Sequence, residues 1–300
     1  MLRALVLLAL TVPAIPLCGQ SRDGVFHAES SLVLVPVTVT GRNGATLQGL
    51  TQEDFSVFED KIPQPIVSFG AQDAPCSVGI VLDASGSMLR LLNRSRIIVD
   101  RFLREADPQD RFSLWTVSTR PAGYEGFTSD LTALWKQVMR VKAGGYTALI
   151  DTVYLSVNRV RSARNSRRAL LVISDGMDNH SRYTAGELLR VAAEFDVQIY
   201  TVAVGTGVGS AKAVWSQEER RGRWLLEEIA GKTGGMSYAL DLDSDEEISL
   251  VAAKIGQAIR NQYLIGYQPR DTSSSDRWRT IQVKLHLPHA TVNARSGCYR

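Results

Sequence analysis

The sequence predicts an α/β fold: a doubly wound, mostly parallel sheet with helices on both faces, and a small β-sandwich built from the two ends of the chain. Three observations predict it. Short apolar runs at 78–82 and 169–173 end in Asp83 and in Ser174-Asp175-Gly176, as strands buried on both faces do. Between such runs lie stretches with helical apolar spacing, and this alternation implies a parallel sheet. Residues 28–70 and 261–300 follow a different rule, the two-residue alternation of half-buried antiparallel strands.

In chain order, Met1-Leu2-Arg3 supplies a positive charge, residues 4–17 are nearly all apolar, and Cys18-Gly19-Gln20 are small or polar. Residues 1–20 therefore read as a secretory signal peptide. The run is shorter than the roughly 18 apolar residues of a membrane span, and no later segment reaches that length. The mature chain is thus expected in the periplasm or outside the cell, without a transmembrane span. Lipidation at Cys18 is the weaker reading, because Leu17 is bulkier than the small residue such a cleavage site prefers.

In segment 28–70, Val33, Val35, Val37 and Val39 share one parity, with Thr38 and Thr40 on the other; the strand is expected to leave a buried zone and become half-exposed. Asn43-Gly44 and Asp60-Lys61 are turn signals. From residue 77 to 260 the α/β pattern holds. Met88, Leu91, Leu92, Ile98 and Phe102 predict a first helix, ended by Pro108. Residues 112–117 form a strand, and Leu149, Val153, Tyr154, Val157 and Val160 line one face of a helix. Helix 184–195, strand 197–204 and helices near 222–231 and 245–260 complete the unit. In segment 261–300, Ile281, Val283, Leu285 and Leu287 alternate with polar residues. Such a strand does not fit inside the parallel sheet, so both flanks are expected to complete one sandwich into which the α/β domain is inserted.

Hydrophobic residues make up 44% of the 300 and charged residues 22%, which suits a chain that is globular throughout. A formal net charge of +3 gives no reason to expect nucleic acid. The basic cluster at Arg159, Arg161, Arg164, Arg167 and Arg168 falls where a helix should end, where cations suit the helix dipole. Past the signal segment, Cys76 and Cys298 remain; export permits a disulfide between them, and two unpaired thiols fit equally well.

Open α/β sheets hold ligands at the carboxyl ends of their strands. Three segments deliver oxygen-bearing side chains to that edge: Asp83-Ala84-Ser85-Gly86-Ser87, Gly144-Gly145-Tyr146-Thr147, and Asp175. Two carboxylates and three hydroxyls, with no histidine or cysteine, suit Mg²⁺, or Mn²⁺ or Ca²⁺, better than zinc. Gly86 lets the backbone turn tightly so that Ser85 and Ser87 face one ion. With only two carboxylates the ion keeps positive character and an open position, which invites an Asp or Glu carboxylate from a protein partner. Asp and Ser after a strand are also ordinary turn formers and helix caps, so Ser87 would alternatively be the cap of its helix.

These three segments together resemble the metal-ion-dependent adhesion site of von Willebrand factor A domains, over about residues 77–260. The resemblance implies a Rossmann-like sheet, Ser85, Ser87 and Thr147 as direct ligands, and Asp83 and Asp175 acting largely through water. It also implies that ligand binding can be coupled to a shift of the last helix, here 245–260. The flanks, with Leu50-Thr51 to Phe55-Ser56-Val57 before and Tyr263-Leu264-Ile265-Gly266-Tyr267 after, resemble a family of exported bacterial proteins related to this domain. Tyr146 stands where a glycine is common beside the threonine, and Cys298 where that family has an aromatic residue.

Other chemistries fit less well. The glycines at 205–209 break dinucleotide-loop spacing and come late in the chain. Gly231-Lys232-Thr233 follows a helix and reads as its C-terminal cap, not a phosphate loop. Ser85 lies outside any G-x-S-x-G, and His180 is a loop histidine. The expected function is therefore a non-enzymatic, metal-dependent protein-binding module. A metal-dependent hydrolase, which would need a general base near the ion, and a structural envelope protein with a stabilising metal are the alternatives.

Overall fold

A computed structural model describes residues 32–72, 74–123, 126–205, 216–241, 244–271 and 277–300. The signal segment, Cys18 and residues 206–209 of the glycine turn lie outside the described residues. The first strands are β1 (Val33–Thr40), β2 (Phe55–Glu59), β3 (Ile62–Gln64) and β4 (Ile66–Gln72). The middle of the chain gives β5 (Cys76–Asp83), β6 (Arg111–Val117), β7 (Ala122–Gly123), β8 (Arg167–Ser174), β9 (Gln198–Gly205) and β10 (Ser237–Asp241). Its helices are α1 (Leu92–Arg104), α2 (Leu131–Arg140), α3 (Leu149–Val160), α4 (Ala185–Glu194), α5 (Gln217–Thr233) and α6 (Asp245–Arg260). The chain closes with β11 (Gln262–Tyr267), β12 (Trp278–Leu285), β13 (Thr291–Ala294) and β14 (Gly297–Tyr299).

The central sheet runs β10-β9-β8-β5-β6-β7 and is parallel except for the short β7. Every residue of β5 is buried, which is why its sequence is apolar without alternation. Alternate residues feed two cores. Ile80, Leu82, Leu171 and Ile173 pack toward α1, α2 and α6, whereas Val81, Leu170 and Val172 pack toward α3, α4 and α5. Helix α4 starts on a capping box between Thr184 and Glu187, and α5 ends at Gly234, whose φ of 81° is the left-handed cap.

Two four-stranded antiparallel sheets, β13-β1-β11-β4 and β14-β12-β2-β3, are each drawn from both ends of the chain. Their shared core holds Val35, Val37, Val39, Phe55, Val57, Ile265 and Ile281. At about 25 cal/mol per Å² of apolar area, each such side chain contributes roughly 1.5–3 kcal/mol. Asp60 and Lys61 both have positive φ, 47° and 69°, the two-residue turn that matches strand twist between β2 and β3.

Two expectations are corrected. Strand β1 does not become half-exposed: Thr38 and Thr40 are 0% and 4% exposed. The face opposite the valines packs on the end of α6, where the Thr38 hydroxyl donates to the Ala258 carbonyl at 3.2 Å. The possible Cys76–Cys298 disulfide is absent. Both thiols are free and buried, Cys76 in the core beneath α1 and Cys298 in the sandwich core.

Only Asn261 separates α6 from β11. Besides Thr38, the Ala258 carbonyl accepts from the Tyr200 hydroxyl at 3.3 Å and from Gln262 Nε2 at 3.2 Å. Gln262 Nε2 also donates to Gln198 Oε1 at 2.6 Å. Arg167 donates to the carbonyls of Ile259 and Arg260. The last turn of α6, which leaves carbonyls without helical partners, is thus satisfied by the sheet and the sandwich together.

Candidate metal centre

Register brings the acidic segments to one edge. Leu82 pairs with Ile173, so Asp83 and Ser174 emerge side by side from β5 and β8. Asp83 is fully buried; its Oδ1 accepts the Ser85 N–H at 2.9 Å and its Oδ2 accepts the Ser174 hydroxyl at 2.5 Å. Ser174 Oγ in turn accepts the Gly176 N–H at 2.9 Å. Ser85, also fully buried, has its Oγ 3.1 Å from that of Ser87, and Ser87 lies near enough to Asp175 to act on its carboxylate. Asp175 further accepts the Met177 N–H at 2.9 Å. Direct bonds therefore join Asp83, Ser85 and Ser87, with Asp175 beside Ser87.

Thr147 joins through its backbone. Gly86 N–H donates to Gly145 O at 3.0 Å and Gly144 N–H to Ala84 O at 2.8 Å, strapping the two loops together. The Thr147 carbonyl accepts the N–H groups of Asn179 and His180, each at 3.0 Å, and its own N–H donates to Asn179 Oδ1 at 3.0 Å. Thr147 is buried, while its neighbour Tyr146 is 62% exposed and stacks on His180 with ring centroids 5.2 Å apart. Two glycines are dictated here. Gly145 has φ 83°, and a Cβ would lie 2.4 Å from Thr119 Oγ1. Gly176 has φ 79°, and a Cβ would lie 2.2 Å from the Gly222 carbonyl oxygen.

The helix-cap alternative fails for both serines. Residues Gly86–Arg90 form a 3-10 turn whose N-cap is Ser85, and Ser85 makes no side-chain cap bond; α1 begins later, after Leu91. Both hydroxyls instead face the acidic cluster. Burial raises the Asp83 carboxyl to about 6, opposed by the Ser174 bond and reinforced by the charge of Asp175. Burial likewise raises Asp175, opposed by the Ser87 hydroxyl and aided by Glu219. The groups acting most strongly on either carboxylate include no lysine or arginine. A buried carboxylate at Asp83, a half-buried one at Asp175 and the nearby hydroxyl residues Ser85, Ser87 and Thr147 fit a hard divalent cation. Among the described residues no group of three or more His, Cys, Asp or Glu side chains is placed to hold a metal ion, so a cation at this edge would depend on hydroxyl and water oxygens beside the two carboxylates.

Sequence reasoning missed Ser174 as a bonding partner of Asp83. Its signal was present: a hydroxyl residue at the strand end, immediately before the acidic residue of a neighbouring strand.

The fold and this edge define an α/β protein whose mostly parallel sheet carries oxygen-bearing side chains at its carboxyl edge. Residues 78–177 match the family described as von Willebrand factor type A domain, a span that includes all five candidate residues. Among solved structures, the protein is similar to the conserved hypothetical protein BatB from Bacteroides thetaiotaomicron, at 21% identity and a TM-score of 0.50, covering 61% of this chain and 98% of that one. It is also similar to a von Willebrand factor type A protein from Catenulispora acidiphila, at 11% identity and a TM-score of 0.51, covering 90% of this chain and 75% of that one. At these identities the likeness shows the fold. No curated protein sequence matches the chain. No helix among the described residues is long and apolar enough to cross a membrane.

Proposed function

We propose that the protein is an exported binding module. Asp83, Ser85, Ser87, Thr147 and Asp175 would hold one divalent cation, and that cation would capture an Asp or Glu carboxylate from a protein partner. The observation that carries this reading is the convergence of two hydroxyls unused as caps on a buried and a half-buried carboxylate, with no lysine or arginine among the groups acting most strongly on either. A bound dication would neutralise that cluster and supply a Lewis-acidic position for an incoming oxygen. The chain's own part is to hold the oxygens in place, through the Ser174 bond beneath Asp83 and the straps between the two loops.

The export reading rests on the N-terminal segment of the sequence. The test is a pull-down from envelope extract in Mg²⁺, in chelator, and with Asp83→Ala. A partner retained only by the unaltered protein in Mg²⁺ supports the reading, and equal retention in all three conditions sinks it.

A further inference from the structure

A cleft of about 840 Å³ opens beside the candidate centre and shares a wall with it. Thr119, on the cleft, accepts the Tyr146 N–H at 2.9 Å. His180, also on the cleft, donates its N–H to Thr147 and stacks its ring on Tyr146. The Tyr146–His180 pair therefore stands between the cleft and the hydroxyl-bearing loop.

The charges in the cleft are not equivalent. Its two carboxylates serve the local backbone. Asp151 accepts the N–H groups of Arg182 and Tyr183 at 2.8 and 2.9 Å. Glu187 accepts from both the N–H and the hydroxyl of Thr184 at 2.8 Å, closing the capping box of α4. The guanidinium groups of Arg120 and Arg182, by contrast, make no hydrogen bond or ion pair with the described residues, and both face the cleft from exposed positions. The same cleft presents apolar surface: Leu155 is 40% exposed, and Tyr183 is 38% exposed and stacked on Tyr154 at 3.8 Å. Arginine next to aromatic and aliphatic surface is the composition of a protein-recognition patch.

We propose that this cleft is a second, anion-accepting subsite for the partner that the metal captures. The occupant is an extended protein segment with two acidic side chains, one reaching the cation and the other reaching Arg120 and Arg182. This rests on the metal-bridged reading of the centre. An extended chain advances about 3.3 Å per residue, so the preferred spacing of the two acids reads out the separation of the two positions. Fork-shaped guanidinium groups suit a carboxylate better than lysine would.

The probes are fluorescein-labelled Gly/Ser peptides carrying one Asp, or one Asp plus a Glu placed one to six residues away. Binding is read by fluorescence anisotropy in Mg²⁺ and in chelator. The second acid should tighten binding about three- to tenfold at one preferred spacing. Arg120→Ala and Arg182→Ala should abolish that gain and leave the one-acid peptide unchanged. Arg182→Glu should transfer the preference to a peptide whose second charge is Lys. A one-acid peptide that binds only in Mg²⁺, with no gain from any second acid, overturns the subsite and leaves the metal reading standing. A second-acid gain that survives chelator and depends on the two arginines supports the subsite and overturns the metal reading. Failure of every peptide to bind in Mg²⁺ overturns both.

Discussion

Glu59 in the sandwich and Asp83 in the α/β domain are both buried carboxylates, 3% and 0% exposed, and the chain treats them in opposite ways. Glu59 accepts the Tyr267 hydroxyl at 2.7 Å and the Arg300 guanidinium at 2.6 Å, so a strand end returns a cation to it. Next to it, the Thr280 N–H and the guanidinium of the buried Arg279 hold Asp60 below the usual carboxylate range. Asp83 accepts a backbone N–H and a serine hydroxyl, and the charge acting on it most strongly is that of another carboxylate, Asp175. One region neutralises its buried acids from within. The other sets two carboxylates beside hydroxyls, with no lysine or arginine among the groups acting most strongly on them.

The largest effect expected from this contrast is at Glu59. Glu59→Ala strands Arg300 and the Tyr267 hydroxyl and should cost about 3 kcal/mol in urea unfolding, equally with and without Mg²⁺. A cost that disappears in Mg²⁺ would break the comparison.

Asp83→Asn should act in the other direction in chelated protein. The folded Asp83 carboxyl is raised to about 6 from an ordinary 3.8. Folding therefore favours its protonated form. The favourable contribution is fully present below pH 3.8 and is lost as pH rises through 6, leaving a penalty of up to ~3 kcal/mol at neutral pH. The Asn variant should be more stable than the chelated parent at pH 7.5 by up to that amount, and the difference should shrink toward pH 4. A difference independent of pH would show that Asp83 is not the titrating group.

Mg²⁺ at a hundredfold excess over its dissociation constant should stabilise the unaltered protein by about 2.7 kcal/mol, and Asp83→Asn not at all. The smallest effect should come from Ser174→Ala. Losing the donor beneath Asp83 should cost ~1 kcal/mol and weaken Mg²⁺ about tenfold by calorimetric titration, without disturbing the sandwich.

Much of this layout was legible in the sequence, because strands buried on both faces leave uninterrupted apolar runs and each run ends at an oxygen-bearing residue. The sandwich was legible through the two-residue alternation at 281–287. Other parts were not recovered. Helix α2 is not among the elements read from the sequence: Leu131, Leu134, Trp135 and Val138 have helical spacing and Asp130 caps it, but the helix is ten residues long and buries only Leu134 and Val138, a weak periodic signal. Strand β10 is five residues long at the edge of the sheet, too short for a periodic signal. The burial of Thr38 depends on α6 packing from more than two hundred residues away, which local parity does not encode. Cys76 and Cys298 carry no sequence mark of the separate cores that hold them.

The join at Asn261 has a mechanical consequence. Helix α6 passes into the middle strand of a sandwich sheet with one residue between them, and the Ala258 carbonyl is tied to β1, β9 and β11. Any displacement of that helix along its axis must drag β11 against β1 and β4, loading two antiparallel ladders in shear. A pull on α6 would therefore strain the sandwich, and tension on β1 or β11 would be felt at α6.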